Sequence, residues 1–434
     1  MKVMHYPGIN IPLIVLLFSI ITIASGQNGD SSQRRIQNII IVGNIYTKEN
    51  VIRRELTVRI GDIASEENLE LSRRRLLNLY LFTRVELYLL PQDEQSDILI
   101  IEVSEQIYFY PVPILRINER DWKKWSYGLS VIHYNFRGQN EKLWAGFWLG
   151  YRPGFGFSYS DPWAGDSLHL TTGFSSSKTI YNHRTLDFEE RHILGKISLG
   201  KWWNYHFKTE ASLLYDRISV DEDYIPYMNS AKNIEQLWGI EFFIRYDTRD
   251  LYSYPSKGWY NKLVFYKNGL FQQYNNYVRT DLDLRRYLKI GTFIFAGRVY
   301  QSYLFGEIPV YRLNYIGYEE RIRGYFYTAR EGKQINMGNF EIRFPLIPIR
   351  YFSLNIPPIP AAYLKNLPIG LSAGIFIDSG IIWNMANEYA LNNFKTGFGL
   401  GLHFHLPYVQ VFRCDLAFNQ DLKSQLIFEV GVAF

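Results

Sequence analysis

The chain has 434 residues, with 47 lysines and arginines against 42 aspartates and glutamates, and a single cysteine, Cys414. One cysteine excludes a disulfide framework and a cysteine-based zinc site, and a dispersed net charge of +5 is too mild to argue for nucleic acid as a partner. Aromatic residues make up 17% of the chain, including 34 Tyr and 29 Phe. Yet after residue 25 no stretch approaches the ~20 apolar residues of a membrane helix.

The N-terminus reads as an export address. Lys2 and His5 precede an apolar run from Ile11 to Ile23, followed by Ala24-Ser25-Gly26, which is a charged start, a short hydrophobic region and a small-residue cleavage site. The run is short for a membrane span, so residues 1–26 are expected to be a cleaved signal peptide rather than an anchor. Cleavage after Gly26 leaves Gln27 first, with no cysteine to carry a lipid.

Residues 35–105 predict a small α/β module. An apolar strand, Ile36 to Val42, ends at Gly43-Asn44. A helix with Thr47 as its N-cap candidate buries Val51, Ile52 and Leu56, and Gly61 breaks it. Ser65 then caps a second helix that carries Glu66 and Glu67 in its first turn, favourable against the helix dipole. Leu69, Leu76 and Tyr80 are spaced for one buried face. Two strands follow, one through Val85, Leu87 and Leu89 and one from Ile98 to Val103. By itself this is a structural domain, or one that offers a strand edge to an extended peptide.

Residues 106–434 change to a period of two. Phe207, Thr209, Ala211, Leu213 and Tyr215 oppose Lys208, Glu210, Ser212 and Asp216; Val278, Thr280, Leu282 and Leu284 oppose Arg279, Asp281, Asp283 and Arg285; Phe398, Leu400 and Leu402 oppose Gly399, Gly401 and His403. A two-sheet sandwich has the same greasy and charged faces. Length discriminates: roughly 330 residues, at ~10 per strand plus turns, make about 16 strands. The expected fold is therefore mainly β, a transmembrane antiparallel barrel of about 16 strands after one small α/β domain. In so wide a barrel the inward charges are expected to be solvated. The end of the chain agrees: Phe428, Val430, Val432 and Phe434 share one face of an alternating segment, as expected of a closing strand that pairs with the first and faces lipid. Taken alone, this segment also fits a buried edge strand.

Specific residues then become recognisable. The 35–105 module resembles a POTRA domain in Val42-Gly43-Asn44, Gly61, Leu79-Tyr80-Leu81-Phe82 with Val85, and Val103-Ser104-Glu105. The barrel resembles that of the outer-membrane protein assembly-factor superfamily (bacterial surface antigen family), which includes BamA-type insertases and two-partner secretion translocators. Five stretches carry the resemblance, in family order: Asp161-Pro162; Asp247-Thr248-Arg249-Asp250 with Pro255 and Gly258; Arg321-Ile322-Arg323-Gly324-Tyr325; Glu341-Ile342-Arg343-Phe344-Pro345; and Phe376-Ile377-Asp378-Ser379-Gly380. The resemblance implies that the Arg-Gly-Tyr motif tips an extracellular loop folded back into the lumen. Arg323 would be the loop arginine, with Glu341 and Asp378 as its partners on the wall. Gly324 would allow a tight tip, and Tyr325 would pack against the wall. Asp247, Arg249 and Asp250, before Pro255 and Gly258, are expected to shape a turn and a charge network.

No enzyme constellation is present: there is no Gly-x-Ser-x-Gly elbow, P-loop, His-Glu-x-x-His or cysteine pair. No cofactor and no metal are expected. Gly397, Gly399 and Gly401 share one strand face and leave room for a neighbour or plug, and His403 and His405 read as lumen histidines rather than metal ligands. The resemblance implies an assembly factor that takes unfolded outer-membrane proteins through the POTRA-like domain without nucleotide hydrolysis. Its implied partners are those clients, the lipid bilayer with lipopolysaccharide, accessory lipoproteins and periplasmic chaperones. The implied location is the outer membrane of a Gram-negative bacterium, with the POTRA-like domain in the periplasm. The alternatives are a dedicated translocator of one passenger and a passive pore or surface-binding barrel.

Overall fold

The computed structural model describes residues 34–434 except 118–123, 166–167, 184–185, 187, 318–319, 326–329, 358–363 and 409. The expected signal peptide at 1–26 lies outside the described residues. The N-terminal module is β1 (Arg35–Val42), α1 (Glu49–Arg53), α2 (Glu66–Asn78), β2 (Phe82–Pro91) and β3 (Ser96–Glu105). Its sheet runs β1-β3-β2, with β1 parallel and β2 antiparallel to β3. Val51, Ile52, Leu76, Leu81, Leu99 and Ile101 fill one core between sheet and helices.

The helix starts differ from one another. Ser65 accepts a hydrogen bond from the Asn68 backbone N–H at 3.2 Å and caps α2. Thr47 does not cap α1, which begins after Lys48 and has only five residues. Its backbone N–H donates to the Glu105 carboxylate at 2.7 Å, and its hydroxyl is shared between Tyr108 and Asn135. That hydroxyl ties the module to the barrel, and a long-range contact has displaced the local one.

The remainder is one antiparallel sheet of sixteen strands in chain order, from Phe109–Ile117 to Ser424–Val430, curled into a barrel. A small ribbon, Asn314–Ile316 with Arg330–Gly332, lies outside the sheet. The alternation holds: Leu213, Ile240, Phe242 and Leu400 face outward and are exposed, while Ser212, Asp216, Asp247 and His403 face inward and are buried. The two edge strands are not laddered to each other among the described residues, so the expected pairing of last strand with first is absent.

Two further expectations are corrected. The inward charges are not all left in solvent: Arg343, Arg413 and Asp415 are at most 1% exposed, where loop tip and turns fill the lumen, whereas Arg279 and Lys196 keep 38% and 35% of their side-chain surface. The C-terminal alternation also breaks before its end. Phe428 and Val430 do face outward, at 60% and 70% exposure, but the strand stops at Val430 and Gly431 turns the chain at φ +90°. Val432 lies in the turned segment, and Phe434 packs inside against Tyr287 and Ala296 at 2% exposure. The Arg343 guanidinium lies 5.6 Å from its ring. Burying a phenylalanine contributes about 1.5–3 kcal/mol, which a frayed strand end would forgo.

The module sits on one mouth of the barrel, against its turns. Asn78 donates to the carbonyl of Asp250 and accepts from the N–H of Tyr252 at 3.1 and 2.9 Å. Asn366 bonds Arg84 and Ser104. Glu55 is 9% exposed and accepts from the Tyr205 hydroxyl, and the Arg75 guanidinium stacks on the Tyr205 ring. Burial pushes the Glu55 carboxyl up to about 7, against the opposing pull of Arg54 and Arg75. The value is raised against the unfolded chain, so the folded state holds this proton more tightly. The stability it contributes is fully present below the ordinary carboxylate range and is lost as pH rises through about 7, by up to ~3 kcal/mol in all. The share that comes from the Tyr205 contact weakens docking over the same range. Limited proteolysis of the junction should show it opening between pH 5 and pH 8, and Glu55→Gln should abolish that pH dependence. Equal protection of the wild type at both pH values would rule out this carboxyl as the control.

Candidate functional site

After the strand Phe293–Gly306 the chain leaves the sheet at the mouth opposite the module and returns at Gln334. The segment between them carries the ribbon and then folds inward so that its tip, Arg321 to Tyr325, meets the barrel wall. The tip is a tight turn, with the Tyr325 N–H donating to the Ile322 carbonyl at 2.9 Å. Gly324 holds φ +95°, and a Cβ there would stand 2.6 Å from the Phe418 carbonyl oxygen. No larger residue fits that approach. Gly397 serves the same approach from the wall, since a Cβ there would lie 1.7 Å from the Arg323 carbonyl oxygen.

Arg323 is 2% exposed. Its Nε and Nη2 donate to the two oxygens of Asp378 at 2.7 and 2.9 Å, and its backbone N–H donates to the same carboxylate at 3.1 Å. Nη1 donates to Glu341 at 2.7 Å and reaches Asp415 at 3.5 Å. The guanidinium lies 3.5 Å over the Phe376 ring. Glu341 also accepts from Arg343 Nε at 2.6 Å, and Asp415 from Arg413 Nη1 at 2.8 Å. The bidentate fork on Asp378 suits arginine and not lysine.

Strand parity brings these groups together. Glu341 and Arg343 alternate inward with outward Phe340 on one strand. Phe376 and Asp378 alternate inward with Ile375 and Ile377 on the next. Around the tip, Tyr325 packs with Ile322 against Met337 and Ile382, and its hydroxyl donates to Gln420 at 2.9 Å. Arg298 grips Glu320 at 2.9 Å, and Arg321 pairs with Glu429 of the last strand. Through Arg321 the tip touches one side of the unladdered seam.

The Asp247–Gly258 stretch is one of the turns that meet the module, through Asn78. Arg249 forks onto Asp247 at 2.9 and 2.8 Å. Asp250 accepts from the N–H groups of Ser256 and Lys257 at 2.8 and 3.1 Å. Pro255 is buried, and Gly258 opens the following strand. The turn sends Tyr254 into the lumen, where its hydroxyl bonds His403 Nδ1 at 2.9 Å. His403 Nε2 lies 3.8 Å from Glu341, and His405 bonds Ser372. Among the described residues no group of three metal-ligating side chains exists.

Sequence reasoning missed Asp415, Arg413, Glu429 and Tyr254. Arg413 and Asp415 flank Cys414 with inward parity, a signal that points to the lumen but names no partner.

A chain built from one POTRA-like module and a sixteen-stranded barrel with a loop arginine locked into the lumen defines a class of outer-membrane proteins. Comparison with known proteins agrees with that class. Residues 135–434 match the Omp85 superfamily domain, and residues 34–106 match the POTRA family described as surface antigen variable number repeat. The chain belongs to the Omp85 superfamily. It is 22% identical over 391 residues to the outer membrane protein assembly factor BamA of Nitratidesulfovibrio vulgaris, covering 86% of this chain and 47% of that protein, so it spans about half the length of that relative. Its fold is similar to BamA from Haemophilus ducreyi lacking POTRA domains 1–3, with TM-score 0.53, 16% identity and coverage of 92% and 84% of the two chains. It is also similar to CdiB from Escherichia coli, with TM-score 0.57, 11% identity and coverage of 92% and 75%.

Replacing Arg323 leaves three buried carboxylates without their shared cation, a cost of about 3–5 kcal/mol concentrated on the loop. Arg323→Ala should keep the heat-modifiable gel mobility of a folded barrel while the 307–333 loop becomes trypsin-sensitive. Gly397→Ala should reproduce the same loosening by displacing the Arg323 backbone. A loop that stays protease-resistant in both variants would show that other contacts hold it.

Proposed function

We propose that this chain is an outer-membrane protein assembly factor of a Gram-negative bacterium. Its POTRA-like domain, in the periplasm, would receive unfolded outer-membrane proteins, and its barrel would assist their insertion or translocation. The observation that carries this reading is the unladdered seam between Phe109–Ile117 and Ser424–Val430. Unpaired strand edges are templates for another strand, and a seam open to lipid offers one at the place where a client must fold. The module supports the reading, because it sits at the mouth where clients would arrive. No nucleotide hydrolysis is required, since folding of the client in lipid supplies the driving force. Accessory lipoproteins and periplasmic chaperones are the partners such a reading implies.

A dedicated translocator of one passenger is the second reading, supported by the fold likeness to CdiB. The packed lumen counts against a passive pore, because loop tip, turn and C-terminus occupy it together. Quantitative outer-membrane proteomics after depletion separates these. Broad loss of barrels is expected of a general assembly factor, loss of one surface or secreted protein would transfer the assignment to a translocator, and no loss would revive the pore. A disulfide between one cysteine in each edge strand, in a Cys414→Ser background, should stop activity under oxidation and release it on reduction. Full activity of the oxidised form would remove the seam from the mechanism.

A further inference from the structure

The strand Gln334–Phe352 runs well past the preceding strand at the module end, whereas Leu367–Trp383 extends only from Leu367 to Ile369 beyond its last pairing with the following strand, Gly370 opposite His405. The preceding strand pairs with the first of them only as far as Ile294 opposite Arg343. From Phe344 to Phe352 that strand continues with its outer edge uncovered; with bulges between Pro345 and Ile347 and between Ile347 and Arg350 it opposes only Ala373 to Leu367, a run of about 20 Å at strand rise. The two strands pair down to Phe352 opposite Leu367 and form a hairpin that is free along its first strand and covered to Gly370 along its second.

The hairpin has an unusual composition. Leu346, Ile347, Ile349, Tyr351, Leu354 and Ile369 are 42–52% exposed. Between Glu341 and Asp378 there is no carboxylate at all, and Arg350 and Lys365 are exposed cations. Apolar patches of this kind on a protein surface mark an interaction site. Three features decide which. Pro345 and Pro348 lie at the bulges of the free-edged strand and have no N–H to donate, so this irregular edge is a poor template for a client strand. The outward apolar row is continuous with the lipid-facing row of the same strands, from Ile377 and Ile375 to Ile369. Cations and a tyrosine without any carboxylate match the headgroup zone of a bilayer, where basic and amphipathic side chains lie between phosphate and acyl chain.

We propose that this hairpin is a lipid-binding element that lies in the headgroup and upper acyl zone of the periplasmic leaflet, with Arg350 and Lys365 on phospholipid phosphates. The module braces its far end: Arg84 and Ser104 bond Asn366 at 3.1 Å, and the Arg84 guanidinium lies 5.9 Å over Tyr351. A membrane-seated hairpin fixed to the module would set the module's height and tilt against the bilayer.

The test places an environment-sensitive NBD label at Ile349→Cys in the full-length Cys414→Ser protein, reconstituted in phosphatidylethanolamine vesicles with and without phosphatidylglycerol. Ile377→Cys serves as the lipid-facing reference and Ile45→Cys, in the module, as the aqueous one. The expected result is blue-shifted emission at position 349 with quenching by brominated lipids that approaches the Ile377 value and exceeds the Ile45 value several-fold. Anionic lipid should strengthen it. Should Ile349→Cys fail to fold, judged by heat-modifiable mobility, Leu346→Cys takes its place. Water-like emission with iodide quenching equal to the Ile45 reference would overturn the proposal. So would protection that appears only on adding an unfolded outer-membrane protein, which assigns the surface to a client, or protection in detergent that grows with protein concentration, which assigns it to a second copy.

Discussion

A guanidinium shut away from water is tolerable only when its charge is met and its donors are used, and Arg323 satisfies both demands. It stands in a cluster with Arg343 and Arg413 against Glu341, Asp378 and Asp415, so the formal charges balance. Such a cluster is costly to break on one side. It gives a long segment entering a wide lumen its most buried seat, beside the Arg298–Glu320, Arg312–Asp216 and Arg321–Glu429 pairs. The neighbouring glycines matter for the same reason, since at Gly324 and Gly397 any side chain would lift the arginine off its carboxylates.

From that seat, contacts extend in two directions. Toward the seam, Arg321 pairs with Glu429, which also meets Arg413, so the last strand is held by the cluster rather than by a ladder to the first. Toward the module, Glu341 neighbours His403, His403 bonds Tyr254, and the turn bearing Tyr254 is bonded to Asn78 of α2. The module, the turn and His403 are thus joined by hydrogen bonds, and His403 stands 3.8 Å from Glu341 without bonding it.

The barrel tolerates an open seam because its interior is packed. Phe188, Ile218, Val220 and Leu237 form an apolar cluster at the mouth opposite the module, and Phe434 occupies the lumen from the other side. A sheet with two free edges is ordinarily an association hazard. Here the inward charges and caps supply cohesion that a closed ladder would otherwise provide, leaving the edges free for another strand.

How far the chain could be read depended on the range of the interaction. Period-two alternation is a local property, so the barrel, its strand number and the inward parity of Glu341, Asp378 and His403 were legible residue by residue. The Ser65 cap was legible for the same reason, and the loop arginine with its two partners followed from resemblance joined to parity. Contacts between strands far apart in sequence were not legible: Asp415 beneath Arg323 and Tyr254 on His403 depend on curvature and register. Thr47 was drawn from a local cap into a junction with Tyr108 and Asn135, and the C-terminal Phe434 turned inward because a filled lumen offered it more burial than a strand end. The sequence by itself determined which face each residue of a strand presents, whereas only the tertiary structure decided which faces meet, because the partners are chosen by the closing geometry of the whole sheet.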